Sequence, residues 1–115
     1  MTAVDTPVPG AAEASPDVVD AAAVRLFADP LRLRIVQLLA GEQLCTCHLV
    51  AATGAKQPTV SHHLRILRDA GVVGTHKVGS FTYYELRSDV LLHLGSALLG
   101  LGHRAEQASR RRQPC

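Results

Sequence analysis

Apolar positions recur at helical spacing over most of this chain and give way to β-branched and aromatic runs only between residues 72 and 86. The first helical period follows Pro16, where Val19, Ala22, Ala23, Leu26 and Phe27 predict an amphipathic helix. Asp29-Pro30 predicts a fresh start. An Asp side chain accepts N–H bonds at an N-cap, and Pro has no N–H to lose at the first helical position. The second helix turns Leu31, Ile35, Leu38 and Leu39 inward and Arg32 and Arg34 outward, and Gly41 stops it. A third, short helix is predicted from Leu44 to Thr53, ending at Gly54. A fourth runs from Gln57 to Ala70 and stops at Gly71. At about 100° per residue its Val60, Leu64 and Leu67 form one stripe, with Ser61, His62, Arg65 and Arg68 on the far side.

Val72 to Val78 and Phe81 to Leu86 flank Gly79-Ser80 and predict a hairpin, since Gly followed by a small polar residue suits a two-residue type II′ turn. Ser88-Asp89 opens a last helix, with Leu91, Leu94, Leu98, Leu101 and Ala105 as its stripe. Two helices joined by a short Gly-containing turn form the helix-turn-helix pattern, and the hairpin behind them resembles a wing. The expected fold is mainly α with one β-hairpin, a winged helix-turn-helix. Residues 1–16 show no apolar period and are expected to be a disordered acidic tail. Residues 17–108 are expected to form the domain, and 109–115 a basic, flexible tail.

Composition sharpens this picture. The chain has 115 residues, room for one modest core. It is 47% hydrophobic but only 3% aromatic with no Trp, so Leu, Val, Ile and Ala must fill that core, which suits packed helices. Twelve basic residues nearly balance ten acidic ones, but Asp5, Glu13, Asp17 and Asp20 all lie in the first twenty positions, which hold no base. The remainder is therefore a basic body, which favours an anionic partner such as nucleic acid. No apolar run approaches the roughly 20 residues needed to cross a bilayer. The best candidate is broken by His93, Gly95, Gly100, Gly102 and His103. The N-terminus lacks a basic region followed by an apolar one, and three cysteines, two of them one residue apart, make a poor disulfide framework. A cytoplasmic protein without a membrane partner is expected.

The fourth helix carries the inventory of a recognition helix, with Lys56 and Gln57 at its start and Thr59, Ser61, His62 and Arg65 along it. Gln can bond adenine edges bidentately, Ser and Thr are versatile, and Arg or Lys reach phosphate or guanine. His76 and Lys77, placed at the hairpin tip, are candidate contacts to the DNA backbone or minor groove. Any surface helix carries such groups, but here a basic-tipped hairpin follows immediately.

Cys45-Thr46-Cys47 is the sharpest local signal. Soft thiolates select thiophilic ions, and two within three residues chelate one ion with little loss of chain entropy. On a regular helix positions i and i+2 stand about 200° apart. Both sulfurs are therefore expected to reach one ion only if the backbone leaves helical geometry, so that ion capture deforms the helix supporting the recognition helix. The plainer alternative is a pair of buried thiols acting as small apolar side chains. Cys115 is a candidate third ligand, or else a terminal thiol of no consequence. Of His62-His63, the first faces outward and the second flanks the apolar stripe and is read as structural. His93, His103 and Glu106 lie on the last helix, where the i, i+3 spacing of His103 and Glu106 suits either part of a metal site or a solvated face. Arg110 to Arg112 reads as a solvated run that phosphate could meet.

Three ordered blocks resemble the ArsR/SmtB family of bacterial winged-helix metalloregulators. They are Asp29-Pro30-Leu31-Arg32-Leu33-Arg34-Ile35, Glu42-Gln43-Leu44-Cys45-Thr46-Cys47-His48-Leu49, and Gln57-Pro58-Thr59-Val60-Ser61-His62-His63-Leu64, continued by Leu67 and Ala70-Gly71-Val72-Val73. The resemblance spans about residues 18 to 105. It implies a homodimer joined through its terminal helices and bound as a repressor to palindromic operator DNA. An inducing ion lowers the DNA affinity and frees detoxification genes. Within the family a Cys-x-Cys here looks like the arsenite and antimonite sensors, with Cys45 and Cys47 as inducer ligands. Gln57, Thr59, Ser61 and His62 carry over as DNA-facing residues.

The chain departs from the family at several points. Many arsenical sensors have a third Cys where this chain has Val50, and His48 replaces a frequent Asp. No cysteine precedes Cys45, as cadmium and lead sensors require, and Val90 and Leu92 stand where the zinc site of the last helix wants Asp and His. The resemblance thus implies As(III) or Sb(III) as the inducer, no cofactor for DNA binding, and a third thiolate from Cys115, from an exogenous thiol, or from nowhere. Rival readings keep the DNA binding but sense cadmium, lead, bismuth or thiol oxidation. A thiol–disulfide enzyme is a more distant rival, because the Cys-x-x-Cys such enzymes place at a helix start is missing. A pure interaction module without a DNA target is the third.

Overall fold

The structure, a computed structural model, describes residues 18–108, 112 and 114. The acidic tail expected over 1–16 lies outside the described residues, as do Cys115 and most of the 109–115 segment. The order is α1 (Ala21–Ala28), α2 (Pro30–Leu39), β1 (Leu44–Cys45), α3 (Thr46–Thr53), α4 (Gln57–Asp69), β2 (Val73–Val78), β3 (Phe81–Leu86) and α5 (Ser88–Gln107). Five helices and a hairpin were expected, and all are present.

Local chemistry sets the boundaries. Asp29 closes α1 and opens α2, its Oδ1 accepting the N–H groups of Leu31 at 2.9 Å and Arg32 at 3.0 Å. The Arg32 N–H, more than any other influence, holds the Asp29 carboxyl below its ordinary pKa. Gly54 ends α3 in the left-handed region at φ 74°, where a Cβ would be strained. Gly79 adopts φ 62° while Ser80 stays at negative φ, the signature of the type II′ turn that brings Val78 opposite Phe81.

One element departs from the helical reading. Leu44 and Cys45 do not begin α3; they are extended and pair antiparallel with Tyr84 and Tyr83 of β3. The result is a three-stranded sheet ordered β1-β3-β2. β1 satisfies backbone groups along an edge of β3 that would otherwise lie bare beside the core, with Cys45 buried and Leu44 packed against that core. The helix starts at Thr46.

The core collects Ile35, Val36 and Leu39 of α2, Leu49 of α3, Val60, Leu64 and Leu67 of α4, and Val72 and Val73 at the start of the wing. Burying each large side chain of this set contributes roughly 1.5–3 kcal/mol. The recognition-helix stripe read from periodicity is the stripe that is buried, and Ser61, His62, Arg65 and Arg68 remain wholly or partly exposed. The last helix behaves differently. Its Val90 and Leu91 pack on the core and Ala97 is buried, but Leu98 and Leu101 of the expected stripe stay exposed. Leu92 and Leu99 are 69% and 61% exposed. At 20 residues α5 is about 30 Å long, and its distal half outruns the body that could cover it.

Candidate metal centre and nucleic-acid interface

The turn from β1 into α3 builds a compact cluster of donors. Cys45 is the N-cap residue of α3, with extended backbone (φ −89°, ψ 170°). Because it stands outside the helix, its side chain is not fixed at 200° from that of Cys47. The two sulfurs lie 2.8 Å apart. The backbone at Cys45 does leave helical geometry, as a shared ion requires, but the cause is the strand and not a deformation of α3. Pairing with Tyr83 holds Cys45 extended and folds its sulfur back over the first turn.

The contact is a thiol–thiol hydrogen bond, and it splits the pair. Cys45 is held below the ordinary thiol value, chiefly by the hydrogen bond with Cys47 and then by the backbone N–H of His48. Cys47 is pushed up, because the same contact and the neighbouring sulfur both disfavour a second negative charge. Of the two thiols, the buried one is therefore the first to ionise. Buried Cys45 is anchored and exposed Cys47 is accessible.

His48 joins them. It stands at the third position of α3, where a capping-box side chain reaches back to the N-cap. Its Nδ1 accepts the Cys45 N–H at 3.3 Å and lies 3.3 Å from the Cys45 sulfur. Among the described residues, Cys45, Cys47 and His48 form a grouping of metal-ligating side chains whose donor atoms all lie within 4.8 Å of one another. Sequence reasoning noted His48 only as a departure. The capping-box offset of three residues from Cys45 was the signal that placed it here.

The donor chemistry fits a thiophilic ion. The other candidates do not converge in this way. Val50, at the position of the third Cys weighed from the sequence, is half-buried against the core. His103 Nδ1 lies 3.4 Å from Glu106 Oε1, but both side chains are well exposed, and His93 is exposed too.

Lys56, Gln57, Thr59, His62 and Arg65 are exposed, and Ser61, Arg65 and Arg68 line a 140 Å³ cavity with Leu64 and Tyr84. His63 is structural, as expected. Its Nδ1 meets the Arg32 guanidinium at 3.1 Å and its Nε2 lies 4.0 Å from the Asp29 carboxylate, tying α4 to the start of α2. Burial first, and Arg32 after it, pushes the His63 pKa down.

The wing differs in detail from the expected basic tip. The tip is Val78 to Phe81, and both of those residues are exposed apolar side chains. His76 and Lys77 stand further down β2, and the strand pleat sends them to opposite faces. Lys77 shares a face with Thr75 and Tyr84, the side that borders α4. His76 stacks on Tyr83 with ring centroids 6.1 Å apart and meets Glu85 at 3.5 Å.

A helix-turn-helix backed by a β-wing, with a polar recognition helix, defines the winged helix-turn-helix class of DNA-binding regulators. Residues 29–75 match the model of a bacterial regulatory protein family, the arsR family. The chain is 41% identical over 66 residues to the HTH-type transcriptional regulator MJ1325 of Methanocaldococcus jannaschii, covering 56% of this chain and 74% of that one. It is 36% identical over 75 residues to the arsenical resistance operon repressor of Staphylococcus xylosus, covering 65% and 72%. The crystal structure of a possible transcriptional regulator for arsenical resistance superposes with a TM-score of 0.63 at 32% identity, covering 81% of this chain and all of that one. The homodimeric winged helix-turn-helix domain Mb0332 of Mycobacterium bovis gives 0.59 at 25%, covering 80% and 86%. The chain belongs to the ArsR family and is a transcriptional repressor of that family. The family and these neighbours are DNA-binding regulators rather than enzymes. No helix among the described residues is long and apolar enough to cross a membrane.

Proposed function

We propose that this repressor binds operator DNA as a homodimer in the cytoplasm and releases it when As(III) or Sb(III) is captured by Cys45 and Cys47. The observation that carries the reading is the 2.8 Å approach of the two sulfurs, one buried and one open to solvent. Each As–S bond formed from arsenous acid replaces one As–O bond, and the departing hydroxide takes the thiol proton and leaves as water. The relative from Staphylococcus xylosus, an arsenical resistance operon repressor, supports this choice of ion.

The sulfurs stand closer than an ion would hold them. With bonds of about 2.3 Å to sulfur and the pyramidal geometry of a trivalent arsenic, two thiolates on one ion lie roughly 3.4 Å apart. Cys45 is fixed by its strand pairing, so the displacement falls on Cys47 and the first turn of α3. That helix packs directly against α4. A spreading of the thiol pair, rather than the unwinding of a helix, therefore disturbs the recognition helix.

On the DNA side Lys56, Gln57, Thr59, Ser61, His62 and Arg65 offer base-edge and phosphate contacts along α4, and Lys77 continues the cationic surface onto the wing. His76, also a sequence candidate for DNA, is engaged with Tyr83 and Glu85 and makes the weaker claim. The homodimer reading rests on the bare apolar surface of α5, beside which α1 packs, and on the homodimeric Mb0332 domain. Cys115, the sequence candidate for a third ligand, lies outside the described residues.

The test is operator binding by fluorescence anisotropy with arsenite, antimonite, cadmium and zinc side by side. Arsenite and antimonite should release the operator from the parent chain and leave a Cys45→Ser/Cys47→Ser variant bound. Release of that variant by arsenite overturns the ligand assignment.

A further inference from the structure

The thiol corner and the wing meet on one residue, Tyr83. Resting on the proposed role of the thiol pair, we infer that Tyr83 is a positioning residue that carries ion capture from the start of α3 to the wing, a route to operator release separate from the recognition helix.

The sheet makes this residue common to both regions. β3 is the central strand of the order β1-β3-β2, and its Tyr83 stands opposite Cys45 on one side and opposite His76 on the other. Residues directly opposite in antiparallel strands send their side chains to the same face. Ring contacts continue the connection. The Tyr83 ring lies 6.2 Å from the His48 imidazole, tilted by 57°, and 6.1 Å from that of His76, stacked at 22°. His48 is tied to the corner, its Nδ1 accepting the Cys45 N–H and lying 3.3 Å from the Cys45 sulfur. His76 is tied to the wing by its 3.5 Å contact with Glu85. From buried sulfur to wing, each group meets the next.

Ion capture acts on the first link. Opening the sulfurs from 2.8 Å to the roughly 3.4 Å of a shared arsenic moves Cys47 and the first turn of α3, and His48 follows Cys47 in that turn. The Tyr83 backbone is held between two strand partners, so its side chain takes up the movement. His76 stacks on that side chain, and the next residue of β2 is Lys77, on the face that borders α4. A shift at His76 therefore re-aims the part of the wing that continues the cationic surface. Tyr84 faces the other way, into the cavity beside Ser61 and Arg65, and takes no part in this route.

The experiment uses the full chain and reads the ratio of operator affinities without and with saturating arsenite, by anisotropy. Arsenite binding is followed separately by the ultraviolet absorption of As–S bonds. Tyr83→Leu keeps an apolar strand residue but removes the ring. It should still bind arsenite, whose bonds are to sulfur, yet its ratio should be at least about fivefold smaller than that of the parent. Tyr83→Phe keeps the ring and should restore the parental ratio. His76→Ala should lose a similar share, and the double variant no more than the larger single loss, because the two rings act in series. A parental ratio in Tyr83→Leu at parental Tm, or losses that simply add, overturns the role of Tyr83 and leaves the thiol pair intact. If Tyr83→Leu folds poorly, exposed His76 decides, since a parental ratio in His76→Ala breaks the same chain of contacts. If Cys45→Ser/Cys47→Ser still binds arsenite, the underlying reading fails instead.

Discussion

The start of α3 and distal α5 each bring metal-ligating side chains within a few residues of one another, and they end differently. At the start of α3, Cys45, Cys47 and His48 converge although helix spacing would scatter the first two. On distal α5, His103 and Glu106 meet at i, i+3 spacing as a helix allows, yet remain an exposed pair that joins no third metal-ligating side chain among the described residues. The difference is the element boundary. A regular helix presents neighbours at fixed angles, so two ligands on one face seldom acquire a third. A strand running into a helix changes direction within one residue and lets positions 45, 47 and 48 bring their donor atoms together. The strand also anchors one sulfur, which a solvated helix face does not do.

Several measurements would break or sharpen this contrast, and the largest effect concerns α5. If its exposed apolar face is half of a dimer interface, distal α5 serves assembly rather than ion capture. Leu92→Lys with Leu99→Lys, seven residues apart on one face, should then yield monomers by sedimentation velocity. Operator affinity should drop by about 100-fold as the second half-site is lost. A dimer with parental affinity would refute that division of labour.

Next is the thiol corner. In the parent chain arsenite should lower operator affinity by about 10–100-fold. In Cys45→Ser/Cys47→Ser the change should be less than about twofold in anisotropy titrations, with ion-free binding unaffected. Smaller again is a pH effect. The folded His63 pKa lies below its ordinary value of 6.5, so the unfolded chain takes up a proton first as pH falls. The His63 contribution is therefore complete above the unfolded value and is lost as pH drops through 6.5 towards the folded pKa. Urea midpoints from pH 7.5 to 5 should fall more steeply for the parent than for His63→Gln. The smallest effect expected is at the other end of the contrast, where His103→Ala with Glu106→Gln should alter the arsenite response by less than about twofold. A larger loss would move the metal centre to α5.

Most of the architecture was legible along the chain. The α4 stripe of Val60, Leu64 and Leu67, the Asp29-Pro30 start of α2 and the Gly79-Ser80 turn each rest on interactions within a few residues, which composition and spacing encode directly. The thiol pair was found as a motif but placed wrongly. The strand that controls it is created by Tyr83 and Tyr84, almost forty residues away. His48 went unassigned for the same reason, since its importance follows from where Cys45 is held. The leucines of distal α5 obeyed helical periodicity and still stayed bare, because periodicity says which face is apolar and not whether anything reaches it.

By itself, then, the sequence determined the helices, the hairpin, the buried face of the recognition helix and the identity of two soft ligands, all set by local hydrogen bonding and side-chain period. Only the tertiary structure decided that Leu44 and Cys45 are a strand, that the two sulfurs already touch, and that an imidazole stands third beside them. Long-range strand pairing fixes those distances, and it is invisible to any short window of residues.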